Sequence, residues 1–169
     1  MAAPLRHQPL DRPIRPRARS AAEAAEAGTV EIVHGTVVHW HGRGILLLGP
    51  SGSGKSDLAL RLIDRGAALV ADDLVRISAR DGRLVARAEA GPGLIELRGQ
   101  GIFRLPHLAA ATLEFALALD PATAAAADRL PPAASRSIAG IALPCFRLDP
   151  GTASATARIA VLLQQERVY

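Results

Sequence analysis

Lysine is nearly missing from this 169-residue chain: of its 20 basic side chains, Lys55 is the only lysine and the rest are arginine. Guanine-nucleotide switches read their base through an Asn-Lys-x-Asp motif, and a chain whose one lysine lies elsewhere cannot contain it. Cysteine is just as scarce. Cys145 alone can form neither an internal disulfide nor a metal cluster, and the chain opens without a secretory pattern, so the expected compartment is the cytoplasm. No apolar run approaches the roughly 20 residues that a membrane span needs. The 49% hydrophobic content then points to one globular domain with a tail, not a membrane protein.

The net charge of +4 and the pI of about 10.5 invite a nucleic-acid reading, but the excess is confined to one place. Arg6, Arg12, Arg15, Arg17 and Arg19 face only Asp11 across the first twenty residues, and everything after them is neutral. A neutral domain is a poor general polyanion binder, so no nucleic-acid partner is expected. Residues 1–28, rich in proline, arginine and alanine, read as a disordered basic tail, and residues 29–169 read as the folded domain.

Within that domain, residues 30–33 and 36–40 are short β-branched runs around His34-Gly35, and residues 45–48 are continuously apolar, as a strand covered on both faces should be. An amphipathic helix is expected over 55–64, with Leu58, Leu62 and Ile63 on one side and Gly66 as its cap. Residues 68–71 form another buried strand. Residues 75–78 and 84–87 flank Asp81-Gly82 as a hairpin. A glycine-dense loop is expected over 91–101. Further expectations are a strand over 112–120 with Leu113, Phe115, Leu117 and Leu119 on one face, a linker over 121–132, one strand over 138–148 and a closing helix over 155–165. The order strand, glycine loop, helix, strand fits an α/β domain of three layers with a mixed sheet.

The glycine loop carries the chemistry. Gly49-Pro50-Ser51-Gly52-Ser53-Gly54-Lys55-Ser56 satisfies the G-x-x-x-x-G-K-[ST] pattern, between a buried strand and an amphipathic helix. Its glycines let successive N–H groups point into a phosphate-sized nest. Lys55 would neutralise the outer phosphates of ATP, and the Ser56 hydroxyl is a hard oxygen ligand for Mg²⁺. A bulkier guanidinium would not replace that compact ammonium. Asp72-Asp73 ends the next apolar strand, where one carboxylate could serve the metal and the other accept a proton from a nucleophile. On the residues alone, a small-molecule kinase and a non-catalytic nucleotide sensor both stay open.

Four ordered motifs then narrow the field: His34-Gly35, the P-loop, Val70-Ala71-Asp72-Asp73, and Glu96-Leu97-Arg98-Gly99-Gln100-Gly101-Ile102. Together they resemble the catalytic domain of bifunctional HPr kinase/phosphorylases, which is similar in fold to phosphoenolpyruvate carboxykinase. The resemblance covers residues 30–130 well, leaves no room for the family's N-terminal domain, and implies a serine kinase acting on an HPr-like phosphocarrier protein. It implies that His34, Lys55 and Arg129 lie in the active site, that Asp73 takes the serine proton, and that Ser56 and Glu96 serve Mg²⁺, which leaves Asp72 as the carboxylate of the pair that would serve the metal. Family members form ring-like oligomers, so a homo-oligomer, a hexamer by resemblance, is implied. The family's Pro-Gly-Arg-Asn segment, tied to dephosphorylation, is here Leu148-Asp149-Pro150-Gly151-Thr152-Ala153 and lacks arginine, which leaves the phosphorylase direction open.

Overall fold

The structure is a computed structural model, described over residues 28–120 and 132–164. Residues 1–27 of the expected basic tail, residues 121–131 of the linker with Arg129 among them, and residue 165 of the closing helix lie outside the described residues. The elements are β1 (Val30–His34), β2 (Thr36–Trp40), β3 (Arg43–Leu48), α1 (Lys55–Ile63), β4 (Ala68–Ala71), β5 (Leu74–Arg80) and β6 (Arg83–Ala88). They continue with β7 (Leu94–Leu97), β8 (Gly101–Arg104), β9 (Ala111–Leu119), β10 (Ser135–Ile138), β11 (Ile141–Leu148) and α2 (Ala155–Gln164).

Nine of the strands form one mixed sheet, ordered β1-β5-β6-β9-β3-β2-β4, with β11 also on β9 and β10 on β11. Strand β9 runs parallel to both β3 and β11, and the remaining pairs are antiparallel. Because β3 and β4 are each antiparallel to the strand between them, β2, they point the same way, and α1 supplies the crossover that this direction requires. Both strands therefore end at the same edge of the sheet. That edge carries the site.

Alternation along β3 builds two cores. Ile45 and Leu47 pack with Leu58, Ala59 and Leu62 of α1 and with Ile159 and Leu163 of α2. Leu46 and Leu48 point the other way, into a cluster with Val75 and Ile77 of β5 and Leu84 of β6. Burying Leu58 and Leu62 completely is worth roughly 1.5–3 kcal/mol each, and it fixes α1 on the sheet. The helix closes as its sequence suggests: Gly66, at φ 93°, donates to the Ile63 carbonyl at 2.9 Å, and Ala67 donates to Leu62 at 3.0 Å.

Three local expectations fail for physical reasons. Leu113 does not share a face with Phe115, Leu117 and Leu119, because the β3–β9 register shifts between Gly44 and Ile45, sending Leu113 to the opposite core. Residues 138–148 are not one strand but the end of a hairpin. Ala139 and Gly140, both left-handed, form a two-residue turn, and alanine at the first position hides the turn signal. The glycine-dense stretch over 91–101 is not all loop, since it holds β7 and the start of β8, a separate two-stranded sheet. By contrast, Asp81-Gly82 turns the β5–β6 hairpin with both residues left-handed.

Candidate nucleotide site

Strand β3 delivers the glycine loop to the sheet edge and α1 leaves from it. Gly54 precedes the first helical residue at φ 90°, and no side chain caps the helix. The first-turn N–H groups of α1, with their positive dipole end, are therefore left to a ligand. Gly49 is required sterically as well: a Cβ there would lie 2.5 Å from the Ser53 hydroxyl and 2.8 Å from the Leu119 carbonyl. The Ser53 hydroxyl is itself buried without a hydrogen-bond partner among the described residues, a polar group turned inward at the loop's centre. Lys55 folds back on its own loop, donating to the Gly49 carbonyl at 2.8 Å and the Pro50 carbonyl at 3.0 Å.

Strand β4 ends one residue before Asp72-Asp73, and the two carboxylates have separate surroundings. Asp72 is half-buried and collects donors: the Thr36 hydroxyl at 2.7 Å, the Ser56 hydroxyl at 3.2 and 3.4 Å to its two oxygens, and the Glu96 backbone N–H at 3.4 Å. Asp73 is exposed and left-handed at φ 69°, with one carboxylate oxygen 3.5 Å from Nδ1 of His34 at the end of β1. A backbone bond from Gly35 to the Asp73 carbonyl, at 3.1 Å, ties those two corners together.

A cleft of about 480 Å³ opens over this edge, lined among others by Gly52, Lys55, Ser56, Asp73, Glu96 and Arg98. The β7–β8 hairpin forms its far wall and places the Glu96 backbone against Asp72. The structure thus gathers Lys55, Ser56, Asp72, Asp73 and Glu96 around one cleft, with His34 at its margin on Asp73. A hydroxyl and carboxylates are hard oxygen donors of the kind that Mg²⁺ takes, so the residues present fit that ion.

Sequence reasoning missed three contributors. Thr36 looks like any β-branched strand residue, yet its hydroxyl is completely buried on Asp72. Arg98 lies inside a motif but had no role of its own; its guanidinium comes within 3.8 Å of where a Gly52 Cβ would be. Pro150, in the segment that departs from the resembled pattern, packs 3.2 Å from where a Gly54 Cβ would stand, and its carbonyl accepts a hydrogen bond from Arg61 of α1. Nothing in the sequence marks that long-range contact.

A family model described as the HPr serine kinase C-terminal domain matches residues 26–112, just over half of the chain. The chain belongs to that family. Curated relatives include the HPr kinase/phosphorylase of Clostridium tetani, 47% identical over 77 residues that cover 45% of this chain and 25% of that protein. The HPr kinase/phosphorylase of Clostridium perfringens strain SM101 is 49% identical over 77 residues, with the same coverage of 45% and 25%. That of Caldicellulosiruptor bescii is also 49% identical over 77 residues, 44% of this chain and 25% of that protein. The matched region therefore spans about a quarter of these relatives. A solved structure of the Hpr(Ser) kinase/phosphatase from Coxiella burnetii shares the fold, with a TM-score of 0.67 and 24% identity over 79% of this chain and 94% of that one. No helix among the described residues is long and apolar enough to cross a membrane.

Proposed function

We propose that this chain is an ATP-dependent serine kinase for an HPr-like phosphocarrier protein, built on a three-layer P-loop domain. The observation that carries the reading is the separation of the two adjacent carboxylates. Asp72 is tied to the P-loop serine, whereas Asp73 is exposed beside His34 at the mouth of the cleft. One is placed to serve the phosphate end of a bound nucleotide and the other to meet an incoming hydroxyl.

In this reading the uncapped first turn of α1 and Lys55 hold the β- and γ-phosphates, with Lys55 exchanging its loop carbonyls for phosphate oxygens. Ser56, Asp72 and Glu96 would hold Mg²⁺, which supplies charge neutralisation at the phosphates. Asp73 accepts the proton of the attacking serine hydroxyl as its oxygen bonds to the γ-phosphorus and the bond to ADP breaks. His34 orients the Asp73 carboxylate, and Arg129 is proposed as a further active-site cation. In the phosphorylase direction, an oxygen of inorganic phosphate attacks the phosphoserine phosphorus, the serine oxygen leaves and takes a proton from Asp73, and pyrophosphate forms. Little covalent chemistry falls to the protein, so positioning and electrostatics do most of the work. A homo-oligomer is part of the proposal.

The test is incubation of the purified chain with γ-labelled ATP, Mg²⁺ and an HPr-type carrier, beside a carrier whose target serine is alanine. Label on the first carrier and not the second is the expected outcome. Label on a metabolite, or nucleotide binding without transfer, would replace the proposal with a small-molecule kinase or a sensor.

A further inference from the structure

Asp72 is held mainly by a residue outside every motif. Thr36 opens β2, the strand lying between the one that delivers the P-loop and the one that delivers Asp72. Its backbone is locked on both sides, Thr36 pairing with Leu47 of β3 and Val37 with Ala71 of β4. The side chain is fully buried, and branching at Cβ leaves it few rotamers. From that fixed point the hydroxyl donates to one Asp72 oxygen at 2.7 Å, a charge-assisted distance. The other donors are longer, Ser56 at 3.2 and 3.4 Å and the Glu96 N–H at 3.4 Å. Thr36 therefore sets which way the carboxylate faces, and Ser56 and Glu96 meet it there.

We propose that Thr36 is a positioning residue for magnesium: by orienting Asp72 toward Ser56 it determines how tightly this corner takes the ion along with a nucleotide. The inference rests on the reading of the cleft as a magnesium–nucleotide site. An outer partner of this kind typically changes metal affinity by about 10–100-fold when lost. Valine has nearly the shape of threonine without the hydroxyl, and serine keeps the hydroxyl without the methyl.

The experiment is calorimetric titration of the intact chain with ADP over a range of Mg²⁺ concentrations, for wild type, Thr36→Val and Thr36→Ser. Fluorescence of Trp40, the one tryptophan, confirms that each variant is folded. Thr36→Val is expected to need about 10–100-fold more Mg²⁺ for half-maximal ADP binding, with ADP binding in excess EDTA unchanged. Thr36→Ser is expected to stay within about threefold of wild type, since it retains the donor. Wild-type binding with the same Mg²⁺ dependence in Thr36→Val overturns the inference alone, and so does a serine variant as impaired as the valine one. Absence of any Mg²⁺-dependent ADP binding in wild type overturns the nucleotide reading, and the inference falls with it.

Discussion

At Asp73, stability and activity should separate cleanly. Its backbone sits at φ 69°, a region that costs most residues with a Cβ about 1–2 kcal/mol and that Asp and Asn tolerate better. Its side chain is 82% exposed and meets the solvent-facing His34 at 3.5 Å, so little stability resides in the carboxylate. What the fold uses is the Asp73 carbonyl, which accepts from Gly35 and is present in any variant. Asp73→Asn should therefore unfold within about 0.5 kcal/mol of wild type. Asp73→Gly gains the relief of the left-handed backbone and loses about 0.5–1 kcal/mol to greater freedom in the unfolded chain, so it should equal or slightly exceed wild type. Asp73→Val, β-branched and forced into the same conformation, should lose about 1–2 kcal/mol. Every one of the three should transfer phosphate roughly 10²–10⁴-fold more slowly, because each lacks the proton acceptor. ADP affinity should hold or rise, one negative charge beside the phosphates having gone. Urea unfolding followed by Trp40 fluorescence and labelling of the carrier from γ-labelled ATP give both axes on the same preparations. A glycine variant more than about 1 kcal/mol less stable would show that the carboxylate serves the fold. Transfer within tenfold of wild type in Asp73→Asn would remove it from the proton step.

Lys55→Arg should abolish nucleotide binding and transfer while leaving the unfolding midpoint unchanged, since among the described residues Lys55 bonds to carbonyls of its own loop; calorimetry with ADP checks it. Leu58→Ala, at a fully buried position between α1 and the sheet, should cost about 3–5 kcal/mol in urea unfolding. Burial pushes the Cys145 thiol above its ordinary range, partly offset by a backbone hydrogen bond with Ala118 and by Arg136 and Arg147. The folded state therefore holds that proton longer than the unfolded chain does. The resulting stability is complete below the unfolded thiol's value of about 8.5 and is lost as pH climbs through the raised one, so the urea midpoint of wild type should fall relative to Cys145→Ala as pH rises above about 8.5.

The site was legible where one short segment carries its own chemistry. The P-loop needs glycines and a lysine at set spacing, and Asp72-Asp73 needs only an apolar strand before it, so both could be found without knowing the fold. The Asp81-Gly82 turn was visible for the same reason: both of its residues suit a left-handed backbone. Ala139-Gly140 makes a similar turn with alanine first, and a sequence reader sees a continuous strand. Leu113 alternates correctly with its neighbours and still lands on the other face, because β9 carries one extra residue, Glu114, against the Gly44–Ile45 step of β3, and only the pairing reveals it. Thr36 and Pro150 act only through contacts with residues far along the chain, at Asp72 and beside Gly54. No local pattern encodes such contacts.

Strand β9 has a consequence for how this protein can be cut and how it can fold. It holds β3 along one edge, while its other edge is shared by β6 near its start and β11 near its end. The strands of the main sheet that precede it thus fall into two groups, β1-β5-β6 and β3-β2-β4, joined through the sheet by β9. The family match stops at residue 112, just as β9 begins. The matched segment is therefore expected not to fold on its own. A fragment ending there would carry the P-loop, Asp72-Asp73 and the β7–β8 hairpin and yet leave long open edges on both groups, a template for aggregation. During synthesis the P-loop must wait for a strand made some sixty residues later, a high-contact-order closure expected to be slow. Amides along 113–118 should then be among the last to exchange with solvent, opening only when the whole sheet does.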